Sequence, residues 1–278
     1  MRQDVIRNSG HEAVTAAVPK GAASPDRDRA RANVLPQGGE SADPTRKNKR
    51  TEGELSTAIL SFENLHLHGE LFVKFLKARR EAFIVKNDWD LSEVSGMEYD
   101  QYDTPASRWI VVHQDGEVLA GIRLTPSTTY CGIYTYMIRD AQRGLLDSIP
   151  PNLLDFEAPV EPDVWESSRV FVVGDVPAAL RMRVQAMMMQ GMIEAARQSG
   201  GRVILGLVPA VWSRWIGRLK LHAVPAGPVI DIDGWKTQVA MMTLDATAEE
   251  AAAIESRLRR QPVPGAARAA GSRHDALT

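Results

Sequence analysis

Trp165-Glu166-Ser167-Ser168-Arg169 sets a carboxylate, two hydroxyls and a guanidinium directly ahead of the apolar run Val170-Phe171-Val172-Val173-Gly174. Polar groups at the mouth of a buried strand are held by its packing, as a site requires. The plainer alternative is an Arg–Glu pair that closes a strand end. A second concentration of reactive types lies upstream, where Trp89 is followed by Glu98-Tyr99-Asp100-Gln101-Tyr102-Asp103. Carboxylates and aromatic faces both stabilise a cation, more strongly where water is excluded. This stretch is therefore either a lid or pocket wall for a positive ligand, or a solvated acidic loop. Arg79 and Arg123 flank it in sequence. An arginine on an apolar stripe usually snorkels, and matters only where a carboxylate waits for it.

These groups need elements to position them. The β-branched and aromatic residues 170–173 predict a strand, and residues 58–62 a first one. Residues 69–86 predict a helix whose apolar stripe is Phe72, Phe75, Leu76 and Phe83, with Arg79 on the same side. Residues 85–102 read as loop. Asp115-Gly116 between residues 109–113 and 118–124 is a strong hairpin signal, with Arg123 at its far end. Leu145-Leu146 suggests a short element and 155–163 a linker. Residues 177–198 form the longest predicted helix, stopped by Gly200-Gly201 and followed by a buried strand at 203–208. A helix at 211–220 carrying Trp212 and Trp215, strands at 229–230 and 237–244 around Asp233-Gly234, and a helix at 246–260 complete the order. The pattern predicts an α/β fold: one mixed sheet over roughly 55–245 with helices against its faces.

Residues 1–53 are rich in Pro, Gly, Ser, Asp and Arg and end near Arg46-Lys47-Asn48-Lys49-Arg50, so they read as a disordered extension. The folded domain is expected over 54–260, with 261–278 as a flexible tail. A formal net charge of −2 gives no general pull toward nucleic acid or anionic lipid. The one cysteine, Cys131, excludes an internal disulfide, and no Cys/His spacing suits a metal. Neither a signal peptide nor a run long enough to cross a membrane is present, which fits a reduced cytoplasmic setting. No GxGxxG or Walker motif argues for a dinucleotide or nucleoside triphosphate.

The combined motifs resemble the acyl-homoserine-lactone synthases, the autoinducer synthases of quorum sensing. Arg79, Phe83 and Trp89 match the N-terminal signature, and Glu98-x-Asp100-x-Tyr102-Asp103 the acidic one. Arg123-Leu124 with Pro126 and Thr128, then Glu166-Ser167-Ser168-Arg169, match the remaining two. The resemblance covers most of 70–175 and weakens after about 200. It implies a mostly antiparallel twisted sheet with a V-shaped cleft, similar to the Gcn5-related N-acetyltransferases. It also implies S-adenosylmethionine as co-substrate, with no permanently bound cofactor, and an acyl thioester on acyl carrier protein or coenzyme A. The amine of S-adenosylmethionine would be acylated and the product closed to a lactone with release of methylthioadenosine.

In that reading Glu166, Ser168 and Arg169 are the catalytic candidates. Glu166 takes the amine proton directly or through a water, Ser168 holds the glutamate or donates to the acyl carbonyl, and Arg169, if close, opposes any upward pKa shift of Glu166. Backbone N–H groups of 170–174 are oxyanion donors by analogy with the resembled fold. Phe83 and Trp89 would pack on the co-substrate. Asp100 and Asp103 either organise its positive end or lock the loop through Arg79 and Arg123. The acyl pocket is expected from Trp165, Met187, Met188, Met192, Leu205, Leu207 and Trp212. The competing readings are an acyl-CoA N-acyltransferase for another amine and a non-catalytic sensor of thioester or lactone. The resemblance leaves the oligomeric state open.

Overall fold

The structure, a computed structural model, describes residues 53–212, 216 and 222–260. All but the last residue of the expected extension, the 261–278 tail and most of the helix expected at 211–220, Trp215 included, lie outside these residues. In chain order the elements are β1 (Leu55–Leu60), α1 (Leu71–Arg80), β2 (Glu93–Val94), β3 (Met97–Glu98), β4 (Arg108–Gln114), β5 (Glu117–Pro126) and α2 (Met137–Gln142). Then follow β6 (Val164–Val172), α3 (Ala178–Gln198), β7 (Val203–Pro209), β8 (His222–Pro225), β9 (Ile230–Ile232), β10 (Trp235–Thr243) and a last helix, α4, at Ala248–Arg259.

One sheet runs β1-β4-β5-β6-β7-β10-β8, with β9 also on β10. Every pairing is antiparallel except β6 with β7. The β4–β5 hairpin turns on Asp115 and Gly116, whose φ angles of 51° and 79° satisfy the left-handed demand of a two-residue turn. The parallel register of β6 and β7 starts at Val164↔Val203 and ends at Ser167↔Gly206. Both strands continue past that point, so they part into a V-shaped cleft beside Ser168 and Leu207.

Period-two alternation sorts the side chains onto two faces. One face carries Ile110, Ile122, Leu124, Trp165, Val170 and Ile204 against Val184, Met188 and Met192 of α3. The opposite face has two separate apolar clusters. Under α1 lie Phe75, Phe83, Trp109, Val111 and Phe171. Toward α2 and α4 lie Tyr136, Phe156, Val164, Leu205, Leu207 and Ile254. Arg123, Glu166 and Ser168 project from the strip of sheet between them, all fully buried.

Several boundaries differ from those the sequence predicts. The organising strand begins at Val164 rather than Val170, so Glu166, Ser168 and Arg169 lie within it and not at its mouth. Packing on both faces buries that polar stretch, which local propensity does not report. The helix expected over 69–86 is α-helical only to Arg80 and continues as a π-helical turn over Glu81–Lys86. The short helix near the middle of the chain is Met137–Gln142, ahead of Leu145-Leu146. The β2–β3 ribbon and β8 are additions, each of at most four residues and too short to show a period.

Candidate active site

Leu71, Phe75, Leu76 and Arg79 form the buried face of α1. Spacing of three and four residues puts a guanidinium on an apolar stripe with no route to water. Carboxylates from the loop after β3 meet it. Arg79 donates from both terminal nitrogens to Asp103, at 2.7 and 3.1 Å, and from Nε to Glu98. Asp103 also accepts the Trp109 indole N–H at 2.9 Å and the Asp100 N–H at 3.0 Å. Arg123 grips Asp100 through both terminal nitrogens, reaches Asp103 at 3.1 Å, and donates from Nε to the Ser168 hydroxyl at 3.1 Å.

Arg169 joins the same group through a backbone irregularity. Gly121 pairs with Phe171 and Arg123 with Ser168, so Arg169 and Val170 together oppose Ile122 in a β-bulge. Arg169 takes φ 54°, in the left-handed region. The bulge reverses the alternation: Trp165 and Val170 both face α3 although they are an odd number of positions apart. It also carries the Arg169 guanidinium to Glu98 at 3.1 Å and Asp100 at 2.8 Å.

Arg79, Arg123 and Arg169 thus meet Glu98, Asp100 and Asp103 in a buried, formally neutral network. Burial alone would push the two aspartates up, but Arg123 with Arg79 at Asp103, and Arg123 with Arg169 at Asp100, hold both below the usual carboxylate range. Both aspartates thus make the ion pairs with Arg79 and Arg123 that the loop-locking alternative requires. Phe83 and Trp89 stack on each other at 5.1 Å and 13°, and the Arg169 guanidinium lies 5.8 Å above the Phe83 ring.

Glu166 stands outside this network. It shares the sheet face of Arg123 and pairs across the strands with Thr125 on one side and Leu205 on the other. Its carboxylate accepts the Met137 N–H at 3.1 Å and the Ile138 N–H at 2.7 Å, both in the first turn of α2. Burial pushes its pKa up to about 7, against the lowering pull of the Ile138 amide, Arg123 and the Met137 amide, and with Asp140 adding to the rise. The opposition expected from Arg169 does not arise, because that side chain is spent on Glu98 and Asp100; Arg123 supplies it instead. A carboxylate that titrates near 7 is a far better proton acceptor at neutral pH than one at its ordinary value.

The seven residues expected to line one acyl pocket do not share a cavity. Trp165, Met188, Met192 and Trp212 pack on the α3 face, with the half-buried Met187 at their edge. Leu205 and Leu207 point through the other face, among Tyr136, Met137 and Phe156. Residues one apart on β7 alternate between faces, so the sheet divides the set. A groove of about 580 Å³ opens at the C-terminal end of β6, where Ala82 and Lys86 of the π-helical turn face Phe171, Val173 and Gly174.

Glu98 lies in a motif legible in the sequence, but residue type alone does not mark it as the acceptor for two arginines. Trp109 and the α2 amides carried no signal, because a backbone donor has no residue type and α2 is only six residues long. Asp140 was equally silent. Among the described residues no group of three or more His, Cys, Asp or Glu is arranged to hold a metal ion, and no helix is long and apolar enough to cross a membrane.

The family model described as autoinducer synthase matches residues 64–253. An acyl-homoserine-lactone synthase of Ralstonia solanacearum is 28% identical over 184 residues, spanning 64% of this chain and 84% of that protein. One from Acinetobacter nosocomialis is 27% identical over 184 residues, spanning 64% and 93%. Among solved structures, TofI in a ternary complex with an inhibitor and MTA superposes with a TM-score of 0.56 at 26% identity, covering 72% of this chain and 96% of that one. The CoA-dependent acyl-homoserine lactone synthase BjaI, solved with SAM and isopentyl-CoA, gives 0.57 at 20% identity over 75% and 91%, a likeness of fold.

Proposed function

The chain belongs to the autoinducer synthase family, and from that premise we propose that it acylates the amine of S-adenosylmethionine from an acyl thioester and closes the product to an acyl-homoserine lactone. The observation that carries this reading is Glu166: a buried carboxylate titrating near neutrality, fixed by two amides, two strand positions from the cleft between β6 and β7. We assign the synthase domain to 54–260, S-adenosylmethionine as co-substrate, acyl carrier protein or coenzyme A as the acyl carrier, and a cytoplasmic location.

Glu166 accepts the proton that the α-ammonium must shed, directly or through one water. The freed nitrogen attacks the thioester carbonyl, the new C–N bond replaces the C–S bond, and the thiol leaves with a proton. Backbone N–H groups of 170–174, along the edge where β6 parts from β7, are the donors assigned to the oxyanion. In the second step the methionyl carboxylate attacks its own γ-carbon. The C–S bond to the sulfonium breaks with its electron pair on sulfur, releasing methylthioadenosine. The sulfonium already activates that carbon, so the protein's part is to hold the folded geometry.

The arginine–acid network makes the rigid wall of the co-substrate site, and Phe83 with Trp89 gives it an aromatic face. Ser168, fastened by Arg123, keeps its hydroxyl proton for the acyl carbonyl. For acyl selection we assign Leu205 and Leu207 the part nearest Glu166. Met187, Met188, Met192, Trp165 and Trp212 take the part beyond the sheet, reached through the cleft.

Glu166→Gln tests the reading. Acyl-homoserine lactone formation should fall by about 10²–10⁴-fold, the usual worth of a positioned base. A variant that keeps the wild-type rate would remove Glu166 as base, and unchanged thioester or lactone binding without turnover in either protein would favour a sensor.

A further inference from the structure

Glu166 is placed by backbone rather than by a side chain: among the described residues, the Met137 and Ile138 amides of α2 are what hydrogen-bond its carboxylate. A six-residue helix has almost no stability of its own, so its first turn must be fixed from elsewhere. Asp140 supplies that fixture. It is fully buried, and its two oxygens accept the Thr135 hydroxyl at 2.7 Å and the Thr135 N–H at 2.8 Å, clipping α2 back onto the residue two before Met137. Arg143 donates to Oδ1 at 3.0 Å from the half-exposed end of the same helix.

The remaining contact comes from across the site. The Tyr102 hydroxyl donates to Asp140 at 3.2 Å. Tyr102 belongs to the acidic loop: its own N–H donates to Asp100 at 2.8 Å, and the Arg123 guanidinium lies 5.6 Å over its ring. A continuous chain of contacts therefore runs from Asp100 through Tyr102, Asp140 and Thr135 to the amides that hold Glu166. We propose that Asp140, clasped by Thr135 and Tyr102, is a positioning residue for Glu166 and ties the placement of the base to the loop at the co-substrate site. This rests on Glu166 being the base.

The groups that face Glu166 are Arg123 from β5, Asp140 from α2, Tyr102 from the loop and Tyr136 before α2. Burial pushes both tyrosine hydroxyls up, so both stay neutral through the working range. Thr135→Val and Tyr102→Phe each remove one bond to Asp140 and change no formal charge. The sign is then fixed. Looser amides stabilise the carboxylate less, so the pKa of Glu166 rises and the acidic limb of the kcat/KM profile moves to higher pH.

Both variants, with their Tm measured, should lose about tenfold in kcat at saturating substrates. Thr135→Val should keep its KM for S-adenosylmethionine within about threefold, and in both the acidic limb should rise by about half a unit. The double variant should cost little more than the worse single one, because both act through one carboxylate. A lower Tm with wild-type kcat and limb in both variants would overturn the proposal and leave Asp140 a fold residue only. Glu166→Gln, run beside them, separates the two failures. If it is inactive while both variants behave as wild type, only the positioning role falls; if it is active with the wild-type profile, the base reading falls and this inference with it.

Discussion

At the scale of single residues, burial decides what each carboxylate does. Asp103 lies almost as deep as Glu166 and Asp100 a little nearer the surface, but each has at least two guanidinium groups in reach and is held below the usual carboxylate range; Glu166 has amides and one more distant arginine, and rises to about 7. The acidic limb of kcat/KM should therefore fall near pH 7, well above an ordinary carboxylate, and should vanish in Glu166→Gln. The same shift acts on stability. A carboxyl whose folded pKa is raised favours the fold while it is protonated, and loses that contribution as pH rises from the unfolded value through about 7. The whole shift amounts to roughly 3 kcal/mol. The Tm of Glu166→Gln should gain on that of wild type between pH 5 and pH 8. A difference that is constant with pH would mean that Glu166 is not raised. Glu166 and its neighbours were readable as reactive types in a suggestive order. Their environments were not, because a pKa is set by partners that lie far away in the chain, as Arg169 does from the Asp100 carboxylate it helps to hold down.

At the scale of elements, the site is a loop pinned to a helix over a bulged strand. Arg79 is the pin, and removing it leaves Glu98 with Arg169, Asp103 with Arg123, and three buried carboxylates facing two guanidinium groups. Arg79→Met should destabilise by about 4 kcal/mol, read as a lower midpoint in urea at unchanged slope. Gly121 serves the same seam differently: a Cβ there would stand 2.4 Å from the Phe75 ring and 2.9 Å from that of Phe171. Gly121→Ala should cost about 2 kcal/mol by overpacking, with α1 displaced from β5 and a raised KM for S-adenosylmethionine. The long elements were legible, namely the Asp115-Gly116 hairpin, the 21-residue α3 and the strand after it. The short ones were not. The α2 turn and the Arg169 bulge leave no period in the sequence, yet they aim Glu166 and Arg169. The same reason split the expected acyl pocket: its residues were grouped by apolar character, while alternation along β7 sends Leu205 and Leu207 to one face and Ile204 to the other.

At the scale of the molecule, the sheet bears its charges in one strip between two apolar clusters, so the site and the core are continuous. Acid should reveal this. Asp100 and Asp103 contribute stability above their unfolded pKa of about 4 that is lost as pH falls below it. Circular dichroism and S-adenosylmethionine binding should therefore fail together between about pH 4 and pH 2. The most direct measurement is of products. Purified protein is incubated with S-adenosylmethionine and a panel of acyl-CoA and acyl-carrier-protein thioesters, and the mixture is read by mass spectrometry. Equal amounts of an acyl-homoserine lactone and methylthioadenosine are predicted from at least one donor. An acylated amine without methylthioadenosine, or neither product from folded protein that binds S-adenosylmethionine, would contradict the account.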